Sequence, residues 1–302
     1  MSQWVQGARP RTLPAAVSPV LVGTGIAVHE RLFDVVAALL CLAVALALQI
    51  GVNYANDYSD GVRGTDQVRV GPVRLIGQGL ASPAKVRAAA IACLLLGAVS
   101  GLALAVWTGA WWLIAVGAAA IAAAWLYTGG PRPYGYAGFG ELFVFVFFGL
   151  VAVSGTALAQ TGHLTWLSLV CSIAVGSLAV AVLVANNLRD IPGDSISGKR
   201  TLAVRLGAPA TRQLYALLLG VPFLAALLIG LLGVSGITGA ESGAWPLGAL
   251  LALLALPLAV PPVRIVGTGA AGRDLIVVLA GTGRVLLGYS LLLSIGIGLA
   301  GS

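Results

Sequence analysis

Residues 33–60 read FDVVAALLCLAVALALQIGVNYANDYSD, an uncharged run from Val35 to Val52 that passes straight into two asparagines and two aspartates. A helix needs about 20 mostly apolar residues to cross a hydrocarbon core, so the stretch reads as a membrane span with an acidic end. The rest of the chain agrees. Of 302 residues, 59% are hydrophobic and 9% charged, whereas a soluble domain carries about 25% charged residues. A water-soluble fold cannot bury that much apolar surface. Nine apolar runs occur, near 13–28, 33–52, 88–107, 110–128, 142–160, 164–185, 214–234, 244–261 and 275–300. The expected fold is an all-α integral membrane protein: one bundle of about nine transmembrane helices, with 1–302 as a single domain.

The first run follows Arg9 and Arg11, as the core of a signal peptide would. It leads through the charged turn at His29–Asp34 into another span and lacks a small-x-small cleavage site, which favours a retained span. Net charge is +7. In a soluble protein that would raise nucleic acid as a partner, but the distribution points elsewhere. With the amino terminus in the cytoplasm, fifteen Lys and Arg fall in cytoplasmic segments and only Arg31 on the opposite face, while Arg284 lies within the last span. That is positive-inside asymmetry. It reports orientation, carboxyl terminus outside, and no nucleic-acid partner is expected. Cys41, Cys93 and Cys171 fall in apolar spans without ligand spacing and read as buried thiols. His29 and His163 stand singly on the far face.

The acidic end of the opening stretch occurs twice. Ala55-Asn56-Asp57-Tyr58-Ser59-Asp60 echoes Ala185-Asn186-Asn187-Leu188-Arg189-Asp190, and Val73-Arg74-Leu75 echoes Val204-Arg205-Leu206 at nearly the same offset. Four spans separate the copies, an even number, so both face the same side of the membrane. The halves are therefore parallel repeats. Inverted repeats are more typical of secondary transporters, so this lowers a divalent-cation transporter reading without removing it.

Asn53, Asn56, Asp57 and Asp60 are spaced by three and four and stack along one face of a helix end. The second copy offers Asn186, Asn187, Asp190 and Asp194; Pro192-Gly193 is expected to end that helix and place Asp194 in the turn. Carboxylates with amide oxygens are hard ligands suited to Mg²⁺, which takes one or two carboxylates and fills its shell with water and phosphate oxygens. The competing reading is ordinary pairing with nearby arginines in surface loops. Two copies in register favour a site. Asp57, Asp60, Asp190 and Asp194 are the candidate metal ligands and catalytic acids. Metal would let such a face bind a diphosphate, and Lys199, then Arg74, followed by Arg63, Arg200 and Arg205, are the cations placed to balance it. Apolar helices meeting such a site suit a substrate with an anionic head and a greasy tail, as a polyprenyl diphosphate has. The loop Gly129–Tyr136, running on to Phe139 and Glu141, brings rings such as Tyr134 to the same face. These could steady an allylic cation or line an acceptor pocket, or form an interfacial aromatic belt.

At these residues the chain resembles the UbiA superfamily of membrane prenyltransferases. Asn56, Asp57 and Asp60 match its Asn-Asp-x-x-Asp signature, and Asp190 and Asp194 match its Asp-x-x-x-Asp signature. Many members carry a further aspartate where this chain has Gly64, with Asp66 two residues on. The opening Gly7–Leu13, the stretch Tyr127–Glu141 and Asn186–Gly207 are most similar to the branch that prenylates 1,4-dihydroxy-2-naphthoate. The resemblance implies nine helices around a central cavity and Mg²⁺-dependent ionisation of the prenyl diphosphate. The ring would then attack at its carboxylated carbon and lose CO₂ to give demethylmenaquinone. Arg9 and Arg11 are open to two roles, as partners of the acceptor carboxylate or as topogenic charge. 4-Hydroxybenzoate and homogentisate are the alternative acceptors.

Overall fold

In a computed structural model of the protein, residues 2–65, 73–235 and 246–300 are described; Asp66 and Arg69 lie outside the described residues. Among the described residues every regular element is helical. A short α1 (Gln3–Gly7) and a 3₁₀ turn (Pro10–Thr12) lead into α2 (Pro14–His29) at a bend of 49°. There follow α3 (Val35–Arg63), α4 (Pro83–Thr108), α5 (Trp112–Leu126), α6 (Gly140–Thr161), α7 (Trp166–Ile196), α8 (Leu202–Ser235), α9 (Leu247–Gly267) and α10 (Asp274–Leu299). Seven of these are long and apolar enough to cross a membrane, or eight with the bent amino-terminal pair taken as one span. At 15 residues, α5 reaches about 22 Å at 1.5 Å per residue, short of the ~30 Å hydrocarbon core.

Local chemistry sets the ends of α3. Asp34 caps its start, accepting from the N–H of Val36 at 2.8 Å and of Ala37 at 3.0 Å. Gly64 ends it at φ 69°, a left-handed conformation that glycine adopts without strain. The 29 residues between exceed the span of a bilayer core by about nine. The last turns, with Asn53 to Asp60, therefore project to its edge. The same excess holds for α7 at 31 residues. Two sequence expectations are corrected here. Pro192 and Gly193 do not end α7, which runs on to Ile196; a proline this near a helix end forfeits one backbone bond and is tolerated. Asp194 thus stands on the helix, four residues after Asp190. Also, α8 starts at Leu202 rather than near 214, with a break at Gly207 (φ 74°, ψ 166°).

Each motif-bearing helix packs extensively on the helix that follows it, α3 on α4 and α7 on α8, and α10 packs against α2 and α9. The two are placed differently. In its most apolar window α7 is 78% buried inside the protein, and α3 only 28%. Close approach of α6 to α7 depends on glycine: a β-carbon on Gly149 would lie 2.7 Å from the Gly176 Cα and the Ser172 carbonyl oxygen. Leucines and valines such as Leu95, Val99 and Val106 on α4, and Leu217, Leu224 and Leu231 on α8, are exposed, as lipid-facing side chains of a bundle are.

Candidate active site

At the motif-bearing ends of α3 and α7 opens a cavity of about 1370 Å³, walled largely by apolar side chains of α3 to α6. The sequence-predicted residues Asn53, Asn56, Asp60, Arg74, Tyr134, Asn186, Asn187, Asp194 and Lys199 line it. Asp57, Asp190, Arg63, Arg200 and Arg205 are not among its lining residues.

Asp60 is the centre of the polar end. It is 2% exposed. Its Oδ1 accepts from Lys199 Nζ at 3.0 Å and its Oδ2 from Arg74 Nη2 at 3.5 Å, and the Tyr136 hydroxyl also donates to Oδ1. Lys199 lies 4.5 Å from the centre of the Tyr136 ring, a cation–π contact, with the Arg63 guanidinium 5.4 Å from the same ring. Burial first, and then the charge of Asp60, push the Tyr136 phenol above its ordinary range, so it stays a protonated donor.

Asp57 takes a different part. Fully buried, it accepts from the backbone N–H of Leu75 at 2.8 Å and of Ile76 at 3.2 Å. It thereby holds the turn that brings Arg74 to Asp60. Asp190 receives Arg189 in a two-point contact, Nε to Oδ1 at 2.7 Å and Nη2 to Oδ2 at 2.9 Å. Asn187 donates to Glu141 Oε1 at 2.8 Å.

The predicted cations divide likewise. Arg63 donates to the carbonyls of Thr128 and Gly130, and Arg205 to that of Ala137 at 2.7 Å. The Arg200 backbone N–H donates to the Tyr136 carbonyl at 2.9 Å, and the Arg200 side chain is exposed. These three grip the 127–139 loop instead of facing the cavity. On that loop, Tyr134 stacks on Phe143 with ring centres 4.0 Å apart.

Sequence reasoning missed several residues. Thr128 donates to Asn56 Oδ1 at 2.8 Å. Thr12 receives Asn53 and Gln49, each at 3.1 Å, and Asn53 also donates to the Ala8 carbonyl at 2.9 Å, tying the amino-terminal bend to α3. Arg9 and Arg11, which the sequence did offer as partners of an acceptor carboxylate, both line the cavity, Arg9 with a left-handed backbone (φ 54°). Arg189 lines it too, and its place inside the second motif was the one signal available.

Among the described residues no three His, Cys, Asp or Glu side chains gather into a metal-holding group. A divalent cation bridging a diphosphate does not require one, since one or two carboxylates suffice. Asp60 and Asp194 share the cavity wall with the amides of Asn56 and Asn186, and Lys199 and Arg74 now supply the positive charge on Asp60. This hard-oxygen set fits such an ion.

A model of the UbiA prenyltransferase family matches residues 16–266. The chain belongs to the UbiA prenyltransferase family. This family member is 54% identical over 291 residues to the 1,4-dihydroxy-2-naphthoate octaprenyltransferase of Mycobacterium tuberculosis, covering 96% of this chain and 94% of that one. It is 39% identical to the enzyme of the same name from Escherichia coli, over 87% of this chain and 84% of that one. Among solved structures, a UbiA homolog from Archaeoglobus fulgidus bound to GPP and Mg²⁺ shares the fold, with a TM-score of 0.67 at 14% identity, over 97% of this chain and 100% of that one. The protein is a multi-pass membrane prenyltransferase, and the transporter reading falls with that assignment.

Proposed function

We propose that the protein transfers a polyprenyl group from polyprenyl diphosphate to 1,4-dihydroxy-2-naphthoate in the presence of Mg²⁺, releasing CO₂ and diphosphate and forming the dihydroxy (quinol) form of demethylmenaquinone. The observation that carries the reading is the buried Asp60, held by Lys199, Arg74 and Tyr136 at the polar end of a large apolar cavity. An anionic head with a long hydrocarbon tail matches both parts. The acceptor is supported by the names of the relatives from M. tuberculosis and E. coli.

In this reading Asp60 and Asp194 would hold the ion, while Asp57 and Asp190 add charge behind them and fix the Arg74 turn and Arg189. Mg²⁺ supplies neutralisation of the departing diphosphate when bound. Lys199 and Arg74 contribute fixed positive charge at the same point, where a dry site makes it most effective. Asn53, Asn56, Asn186 and Asn187 contribute amide groups to the substrate-facing wall. Tyr134 and Tyr136 contribute aromatic surface to the cavity wall, and Arg63, Arg200 and Arg205 hold the loop that carries them. The apolar wall keeps water from the cation. The bond from prenyl carbon to diphosphate oxygen breaks as the ring carbon bearing the carboxylate attacks; loss of CO₂ then returns its electron pair to the ring.

The chain is read as one domain of nine spans, α2 to α10, the short α5 crossing together with its helical flanking residues Trp111 and Tyr127, with the amino terminus inside and the carboxyl terminus outside. Single cysteines at Ser82 and Ser197 should label from the cytoplasm and one at Leu164 from outside; all three labelling from one side defeats the topology. The acceptor is tested by labelling its carboxyl carbon. One labelled CO₂ per product is expected, and label retained in the product, or turnover with 4-hydroxybenzoate alone, overturns the assignment.

A further inference from the structure

Arg189 is 5% exposed and lines the cavity, while the Asp190 that grips it is not a lining residue. Two of its nitrogens, Nε and Nη2, are taken by Asp190 at 2.7 and 2.9 Å. The third, Nη1, is buried and has no hydrogen-bond partner. A guanidinium keeps its charge at every accessible pH, and a buried charged donor without an acceptor is costly. Such an arrangement persists where another molecule supplies the acceptor. The repeat gives a second, independent reason. In the first copy the matching position is Ser59, so this cation is no part of the duplicated acidic scaffold. It is an addition on one side of a two-fold plan, as a substrate with unlike ends would require.

We propose that Arg189 is a substrate-binding residue, held rigid by Asp190, that offers Nη1 to a substrate oxyanion, either a phosphate oxygen of the diphosphate or the carboxylate of the aromatic acceptor. The inference rests on the cavity being the substrate site of the reaction proposed above. Asp190 is then a positioning residue for this contact, whatever charge it adds to the metal face.

The test uses the full chain in detergent micelles, comparing the wild type with Arg189→Gln and Arg189→Lys. Inorganic diphosphate binding is measured calorimetrically with Mg²⁺, and the KM of each substrate is measured at saturation of the other. Loss of a charged hydrogen bond should raise one KM about tenfold or more and leave the other within about twofold, with lysine intermediate. Weakened diphosphate binding together with a raised donor KM assigns the phosphate. A raised acceptor KM that disappears with 1,4-dihydroxynaphthalene, which lacks the carboxylate, assigns the carboxylate. Unchanged KM values and unchanged diphosphate affinity in a folded Arg189→Gln protein overturn the proposal. Should that variant not fold, Arg189→Lys decides: its single ammonium can stay on Asp190 while the Nη1 donors are lost, so unchanged values in it overturn the proposal equally. Absence of wild-type turnover with 1,4-dihydroxy-2-naphthoate would defeat the acceptor reading and leave the diphosphate arm to judge Arg189.

Discussion

The ends of α3 and α7 carry copies of one motif, yet the structure uses them differently. Asp60 on α3 is held from across the bundle by Lys199, 139 residues away, and by Arg74 and Tyr136. Asp190, its counterpart, is held by the residue beside it. Asp57 fixes backbone N–H groups of a neighbouring turn, while the matching Asn187 bonds a side chain, Glu141 of α6. Arg74 reaches Asp60, and its echo Arg205 reaches a loop carbonyl. The helices differ in the same sense, the most apolar window of α7 being 78% buried and that of α3 28%. A duplicated sequence thus repeats one acid, Asp60 as Asp190, but each copy's task follows from what packs around it.

The largest expected effect separates the two central acids. Asp60→Asn removes the charge on which Lys199 and Arg74 converge, and kcat/KM for the donor should fall about 10²–10³-fold in a folded protein. Asp190→Asn changes a residue that does not itself line the cavity, loosens Arg189 and should cost about tenfold. Equal losses in steady-state assays would break the contrast between the copies.

A smaller difference concerns stability. Asp57→Ala strands the N–H of Leu75, which is buried, and that of Ile76, and should destabilise the protein by about 2 kcal/mol or more. Asn187→Ala leaves a single acceptor of Glu141 unmet and should cost about 1 kcal/mol. Thermal unfolding of both variants in the same detergent measures the gap; a reversed order would mean that the α7 side carries the greater constraint.

The smallest effect tests the loop that joins the halves. Tyr136→Phe keeps the ring beside Lys199 and loses one hydrogen bond to Asp60, so kcat should drop about three- to tenfold. Burial, then Asp60, raise the Tyr136 pKa above its ordinary value of 10.0. The neutral phenol is the favoured form, so its hydrogen bond should be present through the working range and be lost only where pH exceeds that raised value. The pH–rate profiles of wild type and variant should run parallel through about pH 10, and a wild-type decline centred near pH 10 that vanishes in Tyr136→Phe would show an unshifted phenol.

Much of this was legible along the chain. Helix class, the acidic motifs and the presence of Lys199 and Arg74 near them follow from run length, spacing and the repeat. Other features were hidden. Arg63, Arg200 and Arg205 read as diphosphate cations because charge near an acid in sequence suggests charge near it in space, whereas loop carbonyls claim two of their side chains. Pro192 read as a stop because local propensity ignores position, and near the last turn a proline costs one bond. Thr12, Gln49 and Thr128 gave no signal, since a lone hydroxyl or amide in an apolar stretch has no spacing to betray it.

By itself, then, the sequence determined what depends on short-range chemistry: that the segments are membrane helices, because uncharged runs of that length are stable in lipid only when every backbone group bonds within the helix, and that acids gather at two helix ends, because i, i+3 and i+4 share a face. Only the tertiary structure decided which acids face the cavity and which hold other groups in place. That choice is made by Lys199, the 75–76 turn and the 127–139 loop, whose approach to the acids depends on how α3 and α7 pack within the bundle and on no local propensity.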